Sequence, residues 1–167
     1  MEFISSDTNA WIDFMVIQKL DLPFRLPLEY LMNQDAIEDE LLSPKNLKRK
    51  LLRLGLIPTE LSEEEFFYGL KIAKKHVKLS KYDCSALAIA KKRKIILLTG
   101  DAELRKVAHS EGVTVIGTIG ILDKILEEEK MTEEEYRDCI LRLIKVNGRE
   151  VRLPMVELQN RLKEIDG

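Results

Sequence analysis

The 167-residue sequence predicts an α/β protein, a three-layer α/β/α arrangement around a central parallel sheet of four to five strands, with a helical extension at the C-terminus. Short apolar runs suited to buried strands alternate with longer stretches of helical periodicity, the pattern of βαβ units winding one sheet. Capping and turn residues fall between the two kinds of segment. The length suits one sizeable core and is short for two.

Residues 3–6 read as the first strand, and residues 7 to about 20 as a helix with Trp11, Phe14 and Met15 on one apolar face and Ile17 at its flank. Gln18 interrupts that stripe, and Pro23 closes the turn that follows. A second strand is expected within residues 24–32, then a short helix capped by Asn33 with Ile37 and Leu41 inward. Ser43-Pro44 predicts the start of another helix, since Ser suits the cap and Pro the first helical position, and Gly55 ends it. Residues 56–60 predict a short third strand, and Ser62-Glu63-Glu64-Glu65 is a capping box opening a helix through Phe66, Leu70 and Ala73. Ser80-Lys81-Tyr82-Asp83 opens a helix rich in Ala and Leu, followed by the clearest strand at residues 94–99 and a helix at 101–110. After Gly112, residues 113–116 predict the last strand; helices follow at 118–128, 132–146 and beyond Pro154. Residues 1–130 are expected to form the main domain and residues 131–167 a helical extension packed on it.

A formal net charge of −2 excludes the strongly basic domain that announces nucleic-acid binding by composition, so any polyanion has to be met locally. Two basic stretches qualify, Lys45, Lys48, Arg49, Lys50 and Arg53, and then Lys91 to Lys94, though such runs are usually solvated helix faces. Cys84 and Cys139 are too few for a disulfide framework and fit no metal-binding spacing, so buried free thiols are expected. The sequence shows neither a secretory leader nor a membrane-length apolar run, which predicts a cytoplasmic protein with no membrane partner.

In an open parallel sheet the ligand site lies beyond the carboxyl ends of the strands, where acids distant in sequence can converge. Asp7 follows the first strand, Asp101 follows the strand ending Leu97-Leu98-Thr99, and Asp83 sits in the first turn of the helix leading into that strand. A fourth acid is expected on the short helix after the second strand, where Glu38, Asp39 and Glu40 compete. Each acid also has a plain structural reading: Asp7 and Asp101 as helix caps, Asp83 as the acidic half of a capping box with Ser80. Together, carboxylates at one sheet edge repel one another and raise their pKa values unless a cation intervenes, which points to Mg²⁺ or Mn²⁺ held by oxygen ligands. His76 and His109 sit on predicted helix ends and suit surface or dipole-compensating roles; Trp11 suits the core, while Tyr82 is a candidate for base stacking.

The ordered pieces Ser6-Asp7-Thr8-Asn9, Asp39-Glu40-Leu41, the run from Leu79 through Asp83 to Ala88, and Leu98-Thr99-Gly100-Asp101 with Leu104-Arg105 resemble the PIN-domain nucleases. Gly117-Thr118-Ile119-Gly120 and Arg152-Leu153-Pro154 are similar to some branches of that family. The resemblance implies a metal-dependent ribonuclease acting on single-stranded or structured RNA, with Asp7, Glu40, Asp83 and Asp101 as the acidic cluster. Helical geometry leaves Glu38 and Glu40 open; only the resemblance, in which the acid directly precedes Leu, favours Glu40. Asp7 and Asp101 are candidates for the most direct metal ligands, Asn9 and Thr99 for supporting hydrogen bonds, and Arg105 for a substrate phosphate or an ion pair with a neighbouring acid.

Many relatives, among them VapC-like proteins, are toxins of toxin–antitoxin pairs, so the resemblance further implies a homodimer or higher homo-oligomer and a small antitoxin partner. RNA processing or decay outside such a pair, and a non-catalytic scaffold keeping the fold, are the alternatives. A dehalogenase-type phosphotransferase would need two aspartates flanking one residue after the first strand, whereas Asn9 stands two positions beyond Asp7.

Overall fold

The computed structural model describes residues 2–167. Five parallel strands, β1 (Glu2–Ser6), β2 (Leu28–Asn33), β3 (Ile57–Thr59), β4 (Ile96–Leu98) and β5 (Val115–Ile116), form one sheet in the order β3-β2-β1-β4-β5. The central β1 pairs Ile4 with both Tyr30 and Ile96, and Ser6 with Leu98. The chain winds outward from β1 first to one side and then to the other, so the gap between β1 and β4 is the point where the winding direction reverses.

The nine α-helices among the described residues are α1 (Thr8–Val16), α2 (Gln34–Glu40), α3 (Leu47–Leu54), α4 (Glu63–Lys75), α5 (Lys81–Arg93), α6 (Ala102–Ser110), α7 (Thr118–Glu127), α8 (Glu133–Val146) and α9 (Met155–Asp166). Two apolar clusters flank the sheet. One joins α1, α2, α3, α7, α8 and α9 to Ile4, Tyr30, Met32 and Leu98; the other joins α4, α5 and α6 to Leu97. Adjacent Leu97 and Leu98 enter opposite clusters because successive strand side chains point to opposite faces. Buried polar groups of β1 are satisfied: Ser5 Oγ donates to Ala86 O at 2.8 Å, tying α5 to the sheet, and Ser6 Oγ donates to Leu31 O while accepting from Trp11 Nε1.

Several expected boundaries move. α1 stops at Val16 rather than near residue 20, since Gln18 takes a positive φ of 59°, which reverses the chain into a 3-10 turn at Leu22–Arg25 containing Pro23. Ser43-Pro44 does not open α3: these residues form a turn in which Leu47 N donates to Pro44 O, and Asn46 takes the cap position. Gly55 ends α3 with φ 124°, a conformation in which an L side chain is strained. The capping box at Ser62 and Glu65 is present, yet α4 buries Glu65, Gly69 and Ile72, leaving Phe66 and Leu70 exposed. The sheet-facing stripe is set by packing on α5, which Gly69 approaches with only ordinary van der Waals space for a Cβ.

The C-terminal helices share the main core. Cys139, Ile140, Leu143, Val151 and Leu158 are fully buried in the same cluster as Trp11 and Phe14. Arg142 donates to Ile17 O at 2.9 Å, and Arg25 donates to Lys130 O and Glu135. Both cysteines are buried free thiols, pushed up to about 11 chiefly by burial. Among the described residues no helix is long and apolar enough to cross a membrane.

Candidate active site

A helix that connects parallel strands runs back against them, so its N-terminus returns to the carboxyl edge of the sheet. This topology brings together the end of β1, the end of β4 and the first turn of α5, and the Thr8 hydrogen bond to Glu40 ties the last turn of the short α2 to the same edge. Asp7, Asp101, Asp83 and Glu40 occupy those four places.

Asp7 is not an ordinary helix cap. It precedes α1, but its side chain makes no capping hydrogen bond. It is only 4% exposed, and Thr99 Oγ1 donates to its Oδ2 at 2.9 Å across the reversal point, where Asp7 N also donates to Leu98 O. Thr99 in turn accepts from Asp101 N at 3.1 Å, so one buried hydroxyl orients both aspartates.

The other three acids each commit one oxygen locally. Asp101 Oδ1 caps α6 by accepting from Glu103 N and Leu104 N; Asp83 Oδ2 accepts from Ser80 N in a capping box; Glu40 Oε1 accepts from Thr8 Oγ1 at 2.6 Å. The capping roles of Asp83 and Asp101 are therefore real, but each uses only one oxygen. Among the described residues, the second carboxylate oxygen of Glu40, Asp83 and Asp101 has no hydrogen-bond donor from the protein.

Glu38 is turned away, exposed and ion-paired with Lys48 at 2.6 Å. Asp39 is exposed and accepts from the Tyr82 hydroxyl, which links α2 to α5 over the cluster. Of the three competing acids, Glu40 alone is drawn to the sheet edge.

The acids feel one another. Burial pushes the Asp7 carboxyl up to about 7; the Asp83 charge adds to this, the Thr99 hydrogen bond opposes it, and the Glu40 charge adds further. Glu40 is raised by burial, with Thr8 opposing and the charges of Asp83 and Asp39 adding. Asp83 is raised by burial against its Ser80 hydrogen bonds, with Asp101 adding. Repulsion thus runs through all four carboxylates. Among the described residues no group of three or more Asp, Glu, His or Cys side chains is arranged so as to hold a metal ion. The donor set nonetheless fits a hard divalent ion: it is all oxygen, multiply anionic and supplied with unused lone pairs.

Beside the cluster lies a cleft of 450 Å³ lined by Asn9, Asp13, Gly100, Asp101, Arg149 and Arg152, among others. Asn9 is exposed and faces this cleft rather than the carboxylates' hydrogen bonds. Asp13 had no part in the sequence expectations. It is 5% exposed, accepts from Thr118 Oγ1 at 2.7 Å, and is pushed up to about 6 by burial against that hydrogen bond. Its position was legible, for it falls between Ala10, Phe14 and Ile17 on the apolar stripe of α1, where an acid is out of place. Thr8 and Arg149, also missed, carry no comparable local signal.

Arg105 forms no ion pair with an acid among the described residues. It lies against Gly117, where a Cβ would come within 2.8 Å of its guanidinium, and its Nε is buried without a partner. The second basic stretch is largely absorbed by structure: Lys91 donates to Glu111 O, Lys92 sits over the Tyr68 ring, and Arg93 pairs with buried Glu65. Trp11 is a core residue stacked on Phe24 at 5.3 Å. His109 is exposed in the last turn of α6, and His76 caps the C-terminus of α4 with its Nε2 buried and unpartnered.

Comparison with curated proteins and with solved structures gives no match. A model of the PIN-domain family matches residues 3–166 and so takes in both the acid-bearing sheet and the C-terminal helices. With that match running nearly end to end, the chain belongs to the PIN-domain family, whose members are in general nucleases.

Proposed function

We propose that the chain is a divalent-metal-dependent ribonuclease that hydrolyses phosphodiester bonds in single-stranded or structured RNA, with Asp7, Glu40, Asp83 and Asp101 as its catalytic acids. The supporting observation is the burial of Asp7 beside Asp83 and Glu40, whose charges repel it, with Asp101 in turn repelling Asp83, an arrangement unfavourable for the protein alone and relieved by a cation. Mg²⁺ or Mn²⁺ bound there would supply Lewis acidity for water attack on the phosphodiester and for the leaving oxygen. The chain's own contribution is positioning. Thr99 fixes Asp7 and the backbone of Asp101, Thr8 fixes Glu40, and the Ser80 capping box fixes Asp83, while Glu40, Asp83 and Asp101 each keep one oxygen free of protein donors for a cation.

Incubation of mixed single-stranded RNAs with purified protein, with and without Mn²⁺ and beside D7N, tests this. Metal-dependent cleavage absent from the variant supports it; equal cleavage by both proteins sinks it. The resemblance to VapC-like proteins supports a physiological role as the toxin of a toxin–antitoxin pair, homodimeric and cytoplasmic, blocked by a small antitoxin. Growth arrest on expression, lost with D7N, is the expected outcome. RNA cleavage without arrest would instead favour processing or decay.

A further inference from the structure

We infer that the turn between α8 and α9 is the phosphate-gripping wall of the cleft, with Arg149 and Arg152 binding the backbone of the RNA strand beside the acids. This rests on the ribonuclease reading above and assigns its substrate contacts. The four carboxylates repel a polyanion, and the chain as a whole is slightly negative, so a nucleic acid needs cations close to the cluster. Much of the basic stretches in the sequence is engaged elsewhere: Lys48 is paired with Glu38, Lys50 and Arg53 line a separate cleft with Met15, Gln18 and Pro44, and residues 91–93 are held by Glu111, Tyr68 and Glu65.

Arg149 and Arg152 are different. Both line the same cleft as Asn9, Gly100 and Asp101, both are exposed, and neither side chain has a hydrogen-bond or ion-pair partner among the described residues. Glu150 also lines the cleft, but it pairs with neither. The turn is built rather than loose. Asn147 clamps it by donating from Nδ2 to Leu153 O at 2.9 Å and accepting from Leu153 N at 2.7 Å, and Gly148 N donates to Val151 O. Gly148 reverses the chain with φ 91°. Val151 and Leu153 are buried in the main core, which turns the alternating Glu150 and Arg152 outward, and Arg149 is exposed on the turn that Gly148 opens. A rigid pair of unpaired guanidiniums at the mouth of an acidic site is suited to phosphate oxygens, which they can grip bidentately.

The test compares full-length wild type, R149Q/R152Q and R149K/R152K for binding of a labelled single-stranded RNA in EDTA, by anisotropy across a salt series, and for cleavage in Mn²⁺. The Gln pair is expected to weaken binding about tenfold and to lower the salt slope by about 1.4, two contacts at about 0.7 each. The Lys pair should retain the salt slope. In cleavage, KM should rise for the Gln pair with kcat little changed. Equal RNA affinity and salt slope for wild type and the Gln pair would overturn the inference, as would wild type that binds no RNA. If wild type binds but does not cut, the nuclease reading fails while the binding comparison still decides the role of the turn. Because both side chains are exposed, unchanged melting temperatures are expected and exclude misfolding as the cause.

Discussion

Asp7 is an acid whose burial works against its own ionisation. With its carboxyl pushed up to about 7, the folded metal-free protein holds this proton more tightly than the unfolded chain, whose carboxyl titrates near 3.8. Stability from this group is therefore highest at low pH and falls as pH rises between about 4 and 7, a penalty on the order of 4 kcal/mol once ionisation is complete. Thermal melts of metal-free protein above about pH 7 should accordingly show D7N more stable than wild type, while Mn²⁺ narrows the difference by stabilising wild type alone. D7N keeps an oxygen for the Thr99 hydroxyl, so a variant less stable than wild type at that pH would contradict this account of Asp7. Asp13 follows the same logic with a different donor. T118V removes the hydroxyl facing a buried carboxylate and is expected to cost about 1–3 kcal/mol where Asp13 is ionised. Since Asp13 is pushed up to about 6, the loss measured by denaturant unfolding should shrink as pH falls below that value.

At the scale of elements, the site depends on α5 meeting the sheet at one height. Ser5 Oγ bonded to Ala86 O fixes that height from one side, and α4 packs on the other face of α5 through Gly69. A Cβ at residue 69 would sit 3.7 Å from Cys84 O and 3.9 Å from Ala88 Cβ, so G69A should fit. G69L should not: overpacking is expected to cost about 1–3 kcal/mol and to push the first turn of α5, which carries Asp83. Cleavage should fall more for G69L than for a core variant of equal instability placed away from α5. Equal loss in the two would mean that helix height does not govern the site.

For the whole molecule, the C-terminal helices decide whether the nuclease core can stand alone. Val151, Leu153 and Leu158 bury their side chains against Ile140 and Leu143 in the cluster that also holds Trp11. Removing residues 147–167 forfeits about 1.5–3 kcal/mol for each of those three side chains, comparable with the whole stability of a small domain of about 5–15 kcal/mol. We propose that such a truncation does not fold cooperatively. A sharp thermal transition in the truncated protein would show residues 1–146 to be self-sufficient. The same deletion removes Arg149 and Arg152, so loss of RNA binding in it would say nothing about the arginines; only the point variants do.

The sequence by itself determined the α/β architecture, the order of strands and helices, the capping boxes at Ser62 and Ser80, and the appearance of an acid after each of β1 and β4. These depend on local periodicity and on capping residues, which act within a few positions of themselves. Tertiary structure alone decided that Glu40 rather than Glu38 turns inward, that Asp7 bonds to Thr99 instead of capping its helix, and that Arg149 and Arg152 reach the mouth of the site. Each of those outcomes depends on residues far apart in the chain being brought to one edge of the sheet, and no local pattern encodes which distant neighbour will be waiting there.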